Sequence, residues 1–189
     1  MISVDVKYCT SDDCYYRLMN NQADVAITNA PAMRRHEFTT YELSESDAVM
    51  MMGASNPLAE KSVLETRDLE SQTVLGIVGC EWTSRSIEDA FTKHGVHPNM
   101  ENVSFTTDAL VALLLNGRGY HIAPELYART FKDASDIVVR RLPFHVPPFK
   151  LSLVLYEKRP LKLYVDEFVE WFLKNADGII LDEIDTRVR

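Results

Sequence analysis

"LLNGRGYHIAPELY", residues 114–127, decides between two folds of different chemistry. A phosphate-cradling loop places its glycines after a strand and at the opening of a helix. Here the order is reversed. "TTDALVALLLNGRG" (106–119) reads as a helix: Thr107 caps its start, Asp108 stands in the first turn, and Leu110, Val111, Leu114 and Leu115 recur at helical spacing. Gly117 and Gly119 end it, because the left-handed residue that closes a helix is cheapest at glycine. "YHIAP" (120–124) then reads as a short buried strand stopped by Pro124. The glycines join a helix to a strand, and a P-loop is disfavoured.

Working outward, the chain alternates. "ISVDVKY" is rich in β-branched residues and reads as a strand. "TSDDCYYRLMNNQ" is a helix capped by Thr10 or Ser11, with Asp12 and Asp13 in its first turn. "ADVAIT" is a buried strand, "NAPAMRRHEF" a loop, and "TTYELSES" and "DAVMMMGA" two further strands. "SNPLAEKSVLETRDLE" holds a short helical piece, "TVLGIVG" is a strand, and "SRSIEDAFTKHG" a helix ending at Gly95. "ENVSFTT" is a strand that feeds the helix already described. "DIVVRRLPF" and "FKLSLVLYEK" are strands around the break at Pro147 and Pro148. "PLKLYVDEFVEWFLKNA" is an amphipathic helix on Leu161, Val165, Phe168 and Phe172, and "DGIILDEIDTRVR" is an unplaced tail. Strands alternating with helices predict a parallel, α/β arrangement, in which ligands bind beyond the carboxyl ends of the strands.

The 189 residues allow one domain or two small lobes. A net charge of −8 repels phosphate backbones, so this segment is a poor DNA-contacting surface. Arg34–Arg35 and Arg140–Arg141 read as solvated loop charge. No apolar run approaches the roughly 20 residues of a membrane span, and "MISVDVKY" lacks the pattern of a signal peptide. Three cysteines without metal spacing suit a reducing cytoplasm. His94 and His97 flank a turn with no third ligand, so no metal is expected. No nucleophile elbow appears, and Asp12–Asp13 and Asp166–Glu167 diverge on their helices, so no catalytic residue is assigned and no cofactor is expected.

Six stretches in order resemble the effector-binding domain of LysR-type transcriptional regulators: "NNQADVAITN", "SNPLAE", "TRDLESQTVLGI", "GVHPN", "TTDALVALLLNGRGYHIAP" and "LVLYEKRPLKLYVDEFVEWF". Asn21 replaces the family's usual glycine before "ADVAI", and Asn56 its usual histidine before "PLA". The resemblance implies a two-lobed α/β fold like a type 2 periplasmic binding protein, with mixed sheets and a hinge of two crossing strands. Lobe I would be residues 1–45 plus 154–189 and lobe II residues 46–153. It also implies that the family's first strand and helix, and its winged helix-turn-helix, are absent from this chain. That leaves lobe I incomplete at its start.

The resemblance places a small-molecule effector between the lobes, with no catalysis. Three helix starts would face it, at Thr10–Ser11, Thr83–Ser84 and Thr106–Thr107, offering free backbone N–H groups and hydroxyls to a carboxylate or other polar group. Asn29, Cys80, Trp82, Ile122 and Pro124 complete the implied set. Each hydroxyl is also expected to cap its own helix. Asp12, Asp13 and Glu81 would oppose an anion, which leaves a zwitterionic or amine-bearing effector open. Trp82 either stacks on a ligand ring or packs on lobe II. Cys80 falls near the reactive cysteine of the family's peroxide-sensing members, but with no second cysteine on the following helix it reads as inert. Cys9 and Cys14 read as packing residues. A cytoplasmic homodimer, reaching DNA only through the absent helix-turn-helix, is the family expectation. A solute-binding protein of the same fold, or a non-DNA-binding fragment or orphan domain, is the alternative, with an enzyme on this scaffold a third reading.

Overall fold

Thr10 starts the first helix as its chemistry dictates: its Oγ1 accepts the Asp13 N–H at 3.4 Å, and Asp12 and Asp13 complement the helix dipole. The computed structural model describes residues 3–29, 35–103, 107–131, 136–158, 160 and 162–186, with Arg35, Trp82, Thr107 and 177–186 described as backbone only. In chain order the elements are α1 (Ser11–Met19), β1 (Ala26–Thr28), β2 (Phe38–Ser46), β3 (Ala48–Gly53), β4 (Thr73–Ile77), α2 (Glu81–Lys93), β5 (Asn99–Val103), α3 (Thr107–Leu115), β6 (Tyr120–Pro124), α4 (Glu125–Ala128), β7 (Ile137–Arg141), β8 (Phe149–Tyr156) and α5 (Leu163–Thr186). Short 3-10 turns fill several connections. The chain divides into two compact units, residues 1–45 with 150–189 and residues 46–149.

Unit 1 is built on a three-stranded sheet in the order β1-β8-β2. β1 runs antiparallel to β8, with Ala26 opposite Val154. Because successive strand residues face opposite sides, β8 serves two layers. Leu153 and Leu155 pack with Val165, Val169, Phe172 and Ala176 of α5. Val154 packs on the other side with Leu18 of α1, Ala26 and Phe38. Leu153 and Val154 are fully buried, and each such side chain contributes roughly 1.5–3 kcal/mol of burial. Glu37 is also buried; Lys158 Nζ approaches its Oε1 at 2.5 Å, and the Glu157 N–H donates to its carbonyl at 2.9 Å. These bonds tie the start of β2 to the end of β8.

One expectation for unit 1 is corrected, and one unplaced segment finds its place. Residues 3–10 form no strand, and Val4, Val6 and Tyr8 are exposed. Their alternation assigns side chains to faces, but a strand also needs a neighbour to bond, and among the described strands β1 pairs only with β8. The tail beyond Ala176 is not separate: α5 continues through Asp177 and Gly178 to Thr186, although a mid-helix glycine costs about 1 kcal/mol relative to alanine. Leu161 of the expected apolar stripe lies outside the described residues. Asn21 stands where α1 needs a left-handed residue, with φ 59°, and the Gln22 N–H closes back onto the Arg17 carbonyl at 2.9 Å. Asparagine tolerates that conformation better than most non-glycine residues, which explains the replacement.

Unit 2 holds a five-stranded sheet in the order β5-β4-β6-β3-β7. β4 is parallel to β5 and β6, whereas β3 is antiparallel to β6 and β7, so the sheet is mixed rather than parallel throughout. β3 is apolar on both faces. Met50 and Met52 pack with Val74, Tyr120, Ile122 and with Ile87, Ala90 and Phe91 of α2. Val49 and Met51 pack with Leu75, Ala123 and with Leu110 and Leu114 of α3. The two helices therefore cover opposite faces. The Tyr120 hydroxyl lies in the α2-side layer with no hydrogen-bond partner, and desolvation raises its pKa because a phenolate there would be stranded.

The glycines that open the argument behave as read. Gly117 has φ 69°; its N–H donates to Leu114 O at 2.9 Å, and the Arg118 N–H to Leu113 O at 3.1 Å, the double closure of a helix end. Gly119 then lies so close to the Thr73 carbonyl that a side chain there would strike backbone. Asn56 pins this point: its Nδ2 donates to Gly119 O at 3.0 Å while its Oδ1 accepts the Leu58 N–H at 2.9 Å. A buried amide at position 56 thus ties the Gly119 carbonyl to the start of the Pro57 turn.

Candidate functional site

The parallel register fixes where chemistry converges in unit 2. Ile77 of β4 lies beside Val103 of β5, and the Val78 N–H extends that ladder to Val103 O at 3.1 Å. β6 runs the same way on the other side of β4. The carboxyl ends of β5, β4 and β6 therefore share one edge of the sheet. From β4 the chain goes to β5 through α2, and from β5 it returns past β4 to β6 through α3. Those helices cover opposite faces, so the edge above β4 is a topological switch point, the place where open α/β sheets bind ligands.

The helix starts there differ from expectation. α2 begins at Glu81, three residues before the expected start, so Thr83 and Ser84 sit inside its first turn and do not cap it. Cys80 is the cap residue and makes no side-chain cap bond. Glu81 Oε1 instead accepts the Gly79 N–H at 3.0 Å, placing a carboxylate of the protein's own at this helix start. Ser84 is nonetheless well positioned. A side chain built at Gly76 would collide with the Asn102 amide oxygen and come within 3.0 Å of Ser84 Oγ, so hydroxyl and amide crowd together above the end of β4. Asn102 was not among the expected residues; its register position beside Gly76 is visible only once β4 and β5 are paired.

Of the remaining expected residues, Thr107 opens α3, with its side chain outside the described residues, and Thr106 lies outside them entirely. The Trp82 side chain, read either as stacking on a ligand or as packing on lobe II, is likewise outside them. Ile122 is buried in the α2-side layer. Pro124 ends β6, where the Glu125 N–H donates to Asp47 O at 2.8 Å and the Leu126 N–H to Ser46 Oγ at 3.0 Å. In unit 1, Thr28 Oγ1 donates to Ser11 Oγ at 3.0 Å, so the end of β1 is latched to the start of α1, and the next residue, Asn29, is exposed. Asp13 pairs with Arg17 at 2.7 Å, which removes one of the three carboxylates expected to oppose an anion.

Two groups read as loop or turn features take structural roles. Arg140 and Arg141 lie on β7: Arg140 Nη2 donates to Ala59 O at 2.9 Å, and Arg141 lies 3.7 Å from Asp47. The Arg34–Arg35 side chains lie outside the described residues. His94 caps α2, with Nδ1 on Ala90 O at 2.8 Å and its ring stacked on Phe144 at 4.5 Å. Among the described residues no group of His, Cys, Asp and Glu is arranged to hold a metal, and no helix is long and apolar enough to cross a membrane.

His121 supports the switch point from below. Its Nδ1 lies 2.7 Å from Leu75 O, and a carbonyl only accepts, so Nδ1 carries the proton. Desolvation of the ring lowers its pKa, partly offset by that bond. With the folded pKa below the unfolded value of about 6.5, the unfolded chain binds the extra proton, and stability falls as the solution is acidified through and below that value. We expect the urea midpoint to drop between pH 7.5 and 5. His121→Asn, which keeps an N–H donor without titrating, should flatten that slope by up to one proton, about 1.4 kcal/mol per pH unit. Equal slopes in the two proteins would remove His121 as the cause.

Comparison with known proteins follows this geometry. The family model described as the LysR substrate binding domain matches residues 2–177. The transcriptional activator protein LysR of Escherichia coli (strain K12) is 28% identical over 127 residues, which span 67% of this chain and 40% of that protein. The effector-binding domain of QuiR, solved in complex with shikimate, superposes with a TM-score of 0.76 at 14% identity, covering 90% of this chain and 79% of that one. An amino acid ABC transporter substrate-binding protein, AbpA of Streptococcus pneumoniae, solved with L-arginine, superposes with a TM-score of 0.75 at 14% identity, covering 98% and 78%. The fold is that of type 2 periplasmic-binding-protein-like domains.

Proposed function

This chain belongs to the family of LysR substrate-binding domains, and from that premise we propose that it senses a small polar effector at the carboxyl edge of β5, β4 and β6. The observation that carries the reading is the crowding of Ser84 Oγ and the Asn102 amide over Gly76, at the switch point where α2 and α3 leave on opposite faces. Hydroxyl, amide and helix-start N–H groups bind and orient a ligand, which favours a sensor over an enzyme. Glu81 already places a negative charge at the α2 start. The favoured effector therefore carries a donor group, an amine or several hydroxyls, alongside any carboxylate. The hydroxyl pair Thr28–Ser11 offers unit 1 a second set of groups of the same kind.

An effector regulates only by binding one conformation more tightly than another, and about 1–3 kcal/mol of such coupling makes a useful switch. The chain spans 40% of the curated relative it matches, a protein named a transcriptional activator. By that pattern the signal would pass to a DNA-binding segment, in a cytoplasmic homodimer. The test is thermal unfolding against shikimate, L-arginine and a panel of amino acids and hydroxy acids. A ligand present at about 100 times its Kd adds roughly 2.7 kcal/mol of stability. Removing one hydrogen bond worth about 1 kcal/mol, by Ser84→Ala or Asn102→Ala, should weaken binding roughly fivefold. A panel that stabilises nothing, or hits that bind both variants like the parent, would count against this site.

A further inference from the structure

Cys9 and Cys14 are set one on each side of a helix cap. Cys9 immediately precedes the cap Thr10, and Cys14 is the fourth residue of α1, its N–H donating to Thr10 O at 3.0 Å. Apolar residues at these two positions commonly pack together and fix the angle at which the chain enters a helix. Here the pair consists of two thiols, their sulfurs 3.5 Å apart and both half-buried. We propose that Cys9 and Cys14 are a reversible oxidation site, closed to a disulfide by hydroperoxides and reopened by dithiols, that covalently fixes the start of α1.

The surroundings give each thiol a different part. Cys14 faces the core, packed with Leu18, Ala26, Phe38 and Val154. Desolvation first, then the contact with Cys9 and the charge of Asp13, push its thiol up to about 12, so it stays protonated until a partner sulfur is activated. Cys9 follows an exposed stretch in which Tyr8 is 87% exposed, and an oxidant arrives from that side. The Cys9 thiolate attacks one peroxide oxygen; the O–O bond breaks, an alcohol or water leaves, and Cys9 becomes a sulfenic acid. Cys14 sulfur then displaces the hydroxyl from Cys9 Sγ, its proton leaving with that hydroxyl as water. Two thiols are oxidised by two electrons to one disulfide, and the peroxide is reduced. Thiol–disulfide exchange with a dithiol reverses the step. The bond would brace the turn that carries Thr10, whose hydroxyl caps α1, and Ser11, which is latched to Thr28.

The test uses the whole chain and does not depend on effector binding. The reduced protein is treated with hydrogen peroxide at slight excess, quenched with an alkylating agent and mapped without reduction. The expected result is a loss of two hydrogens in intact mass and a Cys9–Cys14 linked peptide. Of the three cysteines, Cys80 alone should remain alkylatable, and dithiothreitol should restore the other two. Cys14→Ser should stop at a sulfenic acid on Cys9 that a cyclic dione traps. Cys9 and Cys14 both remaining alkylatable after Cys80 has reacted, or a disulfide joining Cys80 or two chains instead, would overturn the assignment.

Discussion

Gly53→Ala is expected to destabilise unit 2 by about 3 kcal/mol or more, although the change adds a single methyl. Gly53 ends β3, and it is not one of the glycines with positive φ, so backbone preference is not the issue. The issue is space. A Cβ there would overlap the Leu114 carbonyl and sit 3.0 Å from the Leu115 Cα. Both are backbone atoms of the last turn of α3, and the Leu114 carbonyl is already engaged by the Gly117 N–H. No rotamer change relieves the overlap; α3 must lift from the sheet, taking the buried Leu110 and Leu114 with it. Gly95→Ala is the control. Gly95 has φ 70° but nothing within 4 Å of an added Cβ, so it should lose only the left-handed preference, about 1–2 kcal/mol. Urea denaturation of the two variants should rank Gly53→Ala clearly below Gly95→Ala; equal midpoints would refute the steric account.

Phe91→Ala should cost about 3–5 kcal/mol, a large share of the 5–15 kcal/mol that typically holds a domain together. Phe91 is fully buried and meets Phe144 edge-on at 4.9 Å, while Phe144 stacks on His94. Its carbonyl receives the Val96 N–H that closes α2 at Gly95. Truncation leaves a hole under the α2-side layer, whose neighbours Leu69, Val74 and Tyr120 are held by strands and turns that cannot collapse into it. Native-state hydrogen exchange is the informative measurement. Protection should fall at β4 and β6 and persist at β8, whose core in unit 1 does not include Phe91. Uniform loss across both units would show that the chain unfolds as one cooperative body.

The features legible in the sequence were those whose cause is local. The closure at Gly117, the cap at Thr10 and the arrest of β6 at Pro124 all depend on residues within a turn of one another. The family resemblance supplied the fold class, because six short patterns in order constrain topology more than any one periodicity. What stayed hidden depends on partners distant in sequence. "ISVDVKY" has the alternation of a strand but no described neighbour, so its pattern predicted an element that does not form. The true start of α2 is hidden in the sequence because its cap is a cysteine and its first-turn Glu81 folds back on Gly79. Asn102 and His121 acquire their roles only through register, one against Gly76 and the other against Leu75 O.

The three consecutive methionines of β3 are at most 1% exposed, while the three cysteines are all half-exposed. The thioethers of β3 are therefore shielded in a way that those of Met19 and the three thiols are not. An oxidant mild enough to close Cys9 and Cys14 would leave the thioethers of the central strand untouched. Sulfoxide on Met50, Met51 or Met52 therefore timestamps the moments when the β3 layer parts, and marks damage as chemically separate from a reversible thiol signal.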